Sequence, residues 1–297
     1  MVKEIVLIVG LGEIGHTLFA LYNEIKEKFS VYGLDLDIGK MKVLNQSKDK
    51  VPARVDTLQV CLPCSSQEKF ADTIKGYVNQ YKPNLTIINS TVPPGTTLKV
   101  AAACLCLVAH SPARGVHINT EHMIWEMKRW TKYVGGADVA ASKAAKAHFK
   151  NMGLKVKVLK SCRETELAKL FETTYRAWMI ACFQEMHRIS RAFGADFDEA
   201  VDFIEDTHKE RFDRPVMFPG VIGGHCLIPN TELLLKSYDS ELLRLILKSN
   251  EKRKEEIKDP TVKAEADKVA ARAIALEKQL AGPKNLVLDE KTPSTCT

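Results

Sequence analysis

The chain has 297 residues, 45% of them hydrophobic and 27% charged, with a formal net charge of +6. This is the composition of an ordinary globular protein with room for two domains. A charge this modest suits an anionic small molecule and does not call for nucleic acid. No apolar run approaches the ~20 residues needed to cross a bilayer, so no membrane role is expected.

The N-terminus, MVKEIVLIVG, runs from an apolar stretch into a glycine turn without a small-residue cleavage site, and so reads as a first strand. Eight cysteines in a chain of this size without a leader predict free thiols in a reducing, cytoplasmic setting. After residues 4–9 come GLGEIG and the amphipathic HTLFALYNEIKEKF: strand, glycine turn, helix. VYGLDLD is a second strand that ends on Asp35 and Asp37. TLQVCLP, containing Pro63, is a third, followed by the helical SQEKFADTIKGYVNQY. NLTIINS ends at STVPPGTT, which opens a helix through Ala103. LCLVAHSP and TKYVGG read as strands, ASKAAKAHFKNM as a helix and KVKVL as a last strand. Short apolar strands alternating with helices imply a doubly wound, mostly parallel α/β sheet over residues 1–159.

The pattern then changes. Between residues 163 and 193 there is no Gly or Pro, and apolar residues from Leu167 to Ile189 recur at helical spacing, which predicts one long helix. Further helices are expected at 196–210 and 231–249, making 160–250 an all-helical domain. Residues 251–297 interleave acids and bases, as in a solvated helix followed by a disordered tail. The 163–193 helix carries more apolar surface than one small domain can cover, so it is expected to pair with its counterpart in a homodimer.

GLGEIG places Gly10, Gly12 and Gly15 in the G-x-G-x-x-G pattern, and Asp35 follows twenty residues after Gly15 at the end of the second strand. In the strand–turn–helix context this is the phosphate-binding turn of a Rossmann-type domain. Gly10 permits the turn, Gly12 admits a pyrophosphate, and Gly15 lets helix and strand pack closely. Glu13 and Ile14 complete the turn at the helix start, whose N–H groups and dipole favour phosphate. The Asp35 carboxylate suits a ribose and repels a 2′-phosphate, which favours NAD. Pro63 and Thr91 lie at the ends of other strands, on the edge where such sheets bind ligands.

Elsewhere the chemistry is less defined. Cys226 follows Gly223, Gly224 and His225 in FPGVIGGHCLIPN. On residue type alone it is a nucleophile, a metal ligand or a small buried group. Lys169, in ETELAKLFETTYR, has the character of a base or oxyanion partner. His110 and Arg114 follow a strand end, where the Arg114 fork could take a phosphate or carboxylate. Cys61 and Cys64 form C-x-x-C and Cys104 and Cys106 form C-x-C. Their placement in or beside strands reads as edge or buried thiols, and no metal is expected.

GLGEIG, VYGLDLD, STVPPGTT, ETELAKLFETTYR and PGVIGGHCLIP occur in the order seen in nucleotide-sugar 6-dehydrogenases, and residues 1 to about 250 resemble that family. The resemblance implies oxidation of a sugar primary alcohol to a carboxylate in two hydride transfers to NAD. Cys226 would form the thiohemiacetal and thioester, Lys169 would stabilise oxygen anions or move protons, and Thr91 would position water. Arg211 matches an arginine that reaches a neighbouring subunit's site, and the helical domain would form the dimer. The match has departures: Thr173 stands for asparagine, Asn230 for aspartate, and Ala113 for a glutamate. The family's third domain has no counterpart after residue 250. Three readings follow: a sugar dehydrogenase, a one-step enzyme like the β-hydroxyacid dehydrogenases, and an NAD-binding sensor or scaffold without turnover.

Overall fold

In the computed structural model, described over residues 2–115 and 119–281, the chain divides into two compact units, one ending at Lys169 and one beginning at Leu170. The first contains strands β1 (Glu4–Val9), β2 (Phe29–Leu34), β3 (Thr57–Val60), β4 (Leu85–Ile88), β5 (Leu107–His110), β6 (Lys132–Gly136) and β7 (Val156–Val158). Its helices are α1 (Glu13–Asn23), α2 (Ile38–Val43), α3 (Gln67–Tyr81), α4 (Thr96–Ala103), α5 (Thr120–Arg129) and α6 (Val139–Asn151). Helix α7 (Cys162–Ala192) begins here and continues into the second unit.

The sheet order is β2-β1-β3-β4-β5-β6-β7. Neighbours are parallel except β5 and β6. Val9 pairs with both Leu34 and Val60, and Ile88 with His110. Gly10, Asp35, Cys61, Asn89 and Ser111 therefore leave the sheet along one edge. Successive strand residues serve opposite faces: Val6 and Ile8 pack with residues of α1, α5 and α6, while Leu7 and Val9 pack with α3 and α4. Both faces are covered, so the strands read as nearly continuous apolar runs. Polar exceptions on the first face include Thr57, Gln59 and Lys132, all fully or almost fully buried.

Helices α2 and α5, absent from the sequence expectation, are short and N-capped by Asp37 and Asn119. The expected boundary at residues 159/160 moves into α7. The first turns of that helix belong to the sheet unit because Thr165 and Glu166 hydrogen-bond to residues of β5 and of the loop before α4.

The second unit contains the rest of α7, then α8 (Phe197–Arg211), α9 (Leu227–Ser237), α10 (Glu241–Glu256) and α11 (Pro260–Ala281), with no strand among its described residues. The single helix expected at 231–249 is two helices, with Ser240 capping the second at Leu243. The first starts earlier than expected, because Pro229 is tolerated in a first helical turn. Asn230 therefore lies on a helix.

The charged segment after residue 250 is also more than a solvated helix. Val262, Ala266, Val269 and Leu276 of α11 are buried at helical spacing. Arg272 clamps α11 to α8 through a forked contact with Asp198 (2.8 and 3.0 Å) and contacts with Asp202 and Glu205. The expected disordered tail, from residue 282 onward, lies outside the described residues.

Candidate active site

Most helices of the structure have an N-cap side chain, but α1, α4 and α9 do not: their N-caps are Gly12, Gly95 and Cys226. These are the three turns singled out by GLGEIG, STVPPGTT and GGHC. Each leaves helix N–H donors without a local side-chain acceptor.

At α1 the glycines are required by space. Gly10 has φ +86°, and a Cβ there would lie 2.5 Å from the Cys61 carbonyl oxygen. A Cβ on Gly15 would lie 1.8 Å from the Gly10 carbonyl oxygen. Gly12 is different, since its Cβ position has no atom within 4 Å. It faces open space in front of a helix start, where Glu13 is exposed and Ile14 half-buried.

Asp35, just past β2, is turned back onto this loop. Its carboxylate accepts the Leu11 N–H at 2.6 Å and the Asp37 N–H at 2.8 Å, and Lys40 Nζ lies 3.9 Å away. Beside it opens a cavity of about 400 Å³ lined by Leu36, Met41, Thr73 and Tyr77, among others. An acidic anchor beside a partly apolar cleft, next to an uncapped glycine turn, fits the adenosine and pyrophosphate of a dinucleotide. Glu13, Ile14 and Pro63 border the same sheet edge, with Pro63 exposed after β3.

Thr91 lies three residues past the end of β4, half-buried. Its loop is fixed by a residue that sequence reasoning missed. Glu166 of α7, 0% exposed, accepts Gly95 N–H (2.7 Å), Thr97 N–H (2.7 Å) and Thr97 O–H (2.6 Å). It supplies the acceptor that the glycine N-cap of α4 lacks. Burial raises its pKa, while these donors pull it down.

His110 does not follow the strand end as expected but closes β5, and it is fully buried. Burial drives its pKa down to about 3, so the ring is neutral. Its Nε2–H donates to the Ser90 carbonyl oxygen (3.1 Å), and Nδ1 meets the Thr165 hydroxyl (2.8 Å). It braces the Thr91 loop. The Arg114 guanidinium stacks over Trp130 and Tyr133, at 5.2 and 5.5 Å from the ring centroids, an aromatic setting that holds the fork in place. Lys169 is half-buried one turn after Glu166, and its charge helps depress the His110 pKa.

In the second unit, Cys226 is half-buried at the start of α9, after Gly224 with φ +72°. The Asn230 N–H donates to the Cys226 carbonyl oxygen at 2.9 Å. Asn230 Nδ2 donates to Thr173 Oγ1 at 3.2 Å, and Thr173 donates to the Leu170 carbonyl oxygen at 3.0 Å. The structure thus brings Thr173 and Asn230 together as a neutral pair that can neither take nor release a proton. Gly223 and Gly224 form the turn before the cysteine, and Arg211, exposed, ends α8.

Burial pushes the Cys61 thiol up to about 12 and those of Cys64, Cys104 and Cys162 to about 11. These are poor nucleophiles and poor metal ligands. Among the described residues, no His, Cys, Asp and Glu side chains cluster as a metal set, and no helix is long and apolar enough to cross a membrane.

A seven-stranded, doubly wound sheet with an uncapped glycine turn at its ligand edge, followed by a helical unit, defines a Rossmann-type protein. More narrowly, residues 163–252 match the central domain of the UDP-glucose/GDP-mannose dehydrogenase family.

The chain is 28% identical over 234 residues to a UDP-N-acetyl-D-mannosamine dehydrogenase of Methanocaldococcus jannaschii, covering 73% of this chain and 52% of that protein. It thus spans about half the length of the curated relatives it matches. Among solved structures, the UDP-D-ManNAc dehydrogenase of Pyrococcus horikoshii superposes with a TM-score of 0.68 at 21% identity, over 84% of this chain and 68% of that one. The 3-hydroxyisobutyrate dehydrogenase of Mycobacterium tuberculosis gives 0.65 at 16% identity, over 93% of this chain and all of that one. At these identities the structural likeness is one of fold.

Proposed function

We propose that the protein is an NAD-dependent dehydrogenase acting on an alcohol of a nucleotide sugar or a similar substrate, with Cys226 as nucleophile. The observation that carries this reading is the uncapped glycine turn at α1, open at Gly12 and closed at Gly10 and Gly15, with Asp35 folded back beside it. The residues that would hold the cofactor are Gly10, Gly12, Glu13, Ile14, Gly15, Asp35, Pro63 and Thr91. NAD, when bound, supplies the hydride acceptor. Asp35 favours it over the 2′-phosphorylated form by charge repulsion, an effect moderated by Lys40.

The chain's own groups have separable roles. The α9 start favours a thiolate at Cys226 through its dipole. Lys169 can balance charge on a substrate oxygen. Arg114, Arg211, Gly223 and Gly224 are the candidates for substrate contact. Thr91 is held by Glu166 and His110 in a fixed loop.

A second reading, a one-step dehydrogenase that makes a single hydride transfer and never forms a thioester, is favoured by the neutral Thr173–Asn230 pair. Turnover through a thioester needs a base to activate water for its hydrolysis after the second hydride transfer, and neither side chain is one. Absorbance of NADH, followed on a panel of nucleotide sugars and hydroxy acids, separates the readings. Two NADH per sugar, lost in Cys226→Ser, are expected if Cys226 is the nucleophile of a complete four-electron oxidation. One NADH per substrate, retained in Cys226→Ser, would put the one-step reading in its place, and tight NAD binding with no turnover would leave a sensor or scaffold.

We also infer a homodimer through α7. Phe171, Tyr175, Ile189 and the following Phe193 are 56%, 62%, 51% and 85% exposed, and with Trp178, Cys182 and Met186 they form a stripe at three- to four-residue spacing. Light scattering at micromolar concentration is expected to give a dimer mass for the wild type and a monomer for Tyr175→Glu. A monomeric wild type would overturn the inference.

A further inference from the structure

A directed chain of hydrogen bonds, part-buried at its start and buried beyond, crosses the sheet of the first unit. It begins at Glu4, whose carboxylate accepts from His148 Nδ1 at 2.6 Å and from the Thr57 hydroxyl at 2.7 Å. With its proton on Nδ1, His148 presents Nε2 as an acceptor to the Tyr22 hydroxyl (2.5 Å). The Tyr22 oxygen then accepts from Gln59 Nε2 (2.7 Å), which also lies 3.0 Å from His148 Nε2. Gln59 Oε1 accepts from Asn89 Nδ2 (2.7 Å), which leaves Asn89 Oδ1 facing Lys132 Nζ at 3.4 Å. Each amide orientation follows from the one before it. The chain runs from a carboxylate at the amino end of β1 to an ammonium at the ligand edge, and the aligned bonds polarise one another.

Lys132 donates further to the carbonyl oxygens of Ser111 (2.8 Å) and Pro112 (3.2 Å), and lies 5.2 Å from the centre of the Phe149 ring. Three oxygen acceptors match the three N–H donors of an ammonium. The groups it joins flank the candidate site: Asn89 lies two residues before Thr91, and Pro112 two residues before Arg114.

We propose that Lys132 is a positioning residue for the ligand edge, whose ammonium ties the β4 segment that carries Thr91 to the β5 segment that carries Arg114, a tie that weakens when it loses its proton. The inference rests on the NAD reading only for its binding readout. Burial lowers the Lys132 pKa to about 7 and the Lys169 charge adds to the shift, while the neighbouring Cys61, its own thiol pushed up by burial, is neutral there. The other titratable groups around it are His110 on β5, His148 on α6 and Tyr22 on α1. His110 feels the Lys132 charge directly, and the latter two belong to the chain. A lysine neutral above its folded pKa has two N–H donors for three acceptors. NADH affinity is therefore expected to fall as pH rises through neutrality.

Fluorescence titration of the full chain with NADH from about pH 6 to about pH 9 tests this. Affinity in the wild type is expected to fall about tenfold across the range, the equivalent of one charge-assisted hydrogen bond. Lys132→Met should bind weakly at every pH and lose the dependence, and Lys132→Arg, which keeps its charge, should bind without the high-pH loss. A shared pH profile in wild type and Lys132→Met would overturn the proposal.

Backbone amide NMR decides the matter without cofactor. The signals of Asn89, Thr91 and Ala113 are expected to shift with one midpoint near neutrality in the wild type and to hold still in Lys132→Arg. Signals indifferent to pH in the wild type would overturn the positioning role. Absence of NADH binding at every pH, with those amides still titrating, would instead count against the NAD reading alone.

Discussion

Gly12→Ala is expected to leave the protein folded and to weaken NADH binding severely, whereas Gly15→Ala should damage both. Gly12 has φ −71°, which alanine adopts freely, and its Cβ would meet nothing within 4 Å. Its stability should stay within about 1 kcal/mol of the wild type, since the changes are a slightly poorer N-cap and a less flexible unfolded chain. The methyl would project into the space where a pyrophosphate must approach the backbone, and an affinity loss of about a hundredfold or more, ~3 kcal/mol, is expected by fluorescence titration.

At Gly15 the same methyl would lie 1.8 Å from a backbone oxygen, and only movement of α1 against the turn can relieve that. Overpacking of this kind costs about 1–3 kcal/mol or more and should appear as a lowered melting temperature. Unchanged NADH affinity in Gly12→Ala would remove the main support for a dinucleotide at this turn.

Glu166→Ala should be the most destabilising single change on the ligand edge that leaves the glycine turn intact. The wild-type carboxylate accepts three hydrogen bonds of 2.6–2.7 Å and has no solvent exposure. Its removal leaves the buried Thr97 N–H and hydroxyl and the half-buried Gly95 N–H without their acceptor, at a cost of about 3–5 kcal/mol. The corresponding fall in melting temperature is about 6–20 °C. Because the loop after β4 is anchored by these bonds, loosened amide protection at Gly95 and Thr97 is expected in native-state hydrogen exchange. Protection equal to that of the wild type would show that the α4 start is held by other contacts.

The Glu166 and Lys132 arguments share a feature. Both residues tie segments to the edge from a distance of tens of residues, Glu166 to Gly95 and Thr97, Lys132 to Asn89 and Ser111. Neither has a local signature. A glutamate in a helical run and a lysine opening a strand look like solvated surface residues until the sheet closes over them.

What could be read from the chain alone was whatever local geometry enforces. The alternation of short apolar strands with helices specified the doubly wound sheet, because a strand covered on both faces must be apolar throughout. The spacing of Gly10, Gly12 and Gly15 marked the glycine turn, because Gly15 must pass the Gly10 carbonyl oxygen only five residues back. The run without Gly or Pro announced α7. Tertiary structure decided the rest. It moved the division between units into α7, through the contacts of Thr165 and Glu166. It started α9 at Leu227, so that Asn230 meets Thr173 across 57 residues of sequence. It buried one face of α11 and made His110 a brace for the Thr91 loop. Each of these depends on pairing groups far apart in sequence, and burial makes such pairing obligatory because an unmatched polar group in the interior costs more than the bond returns.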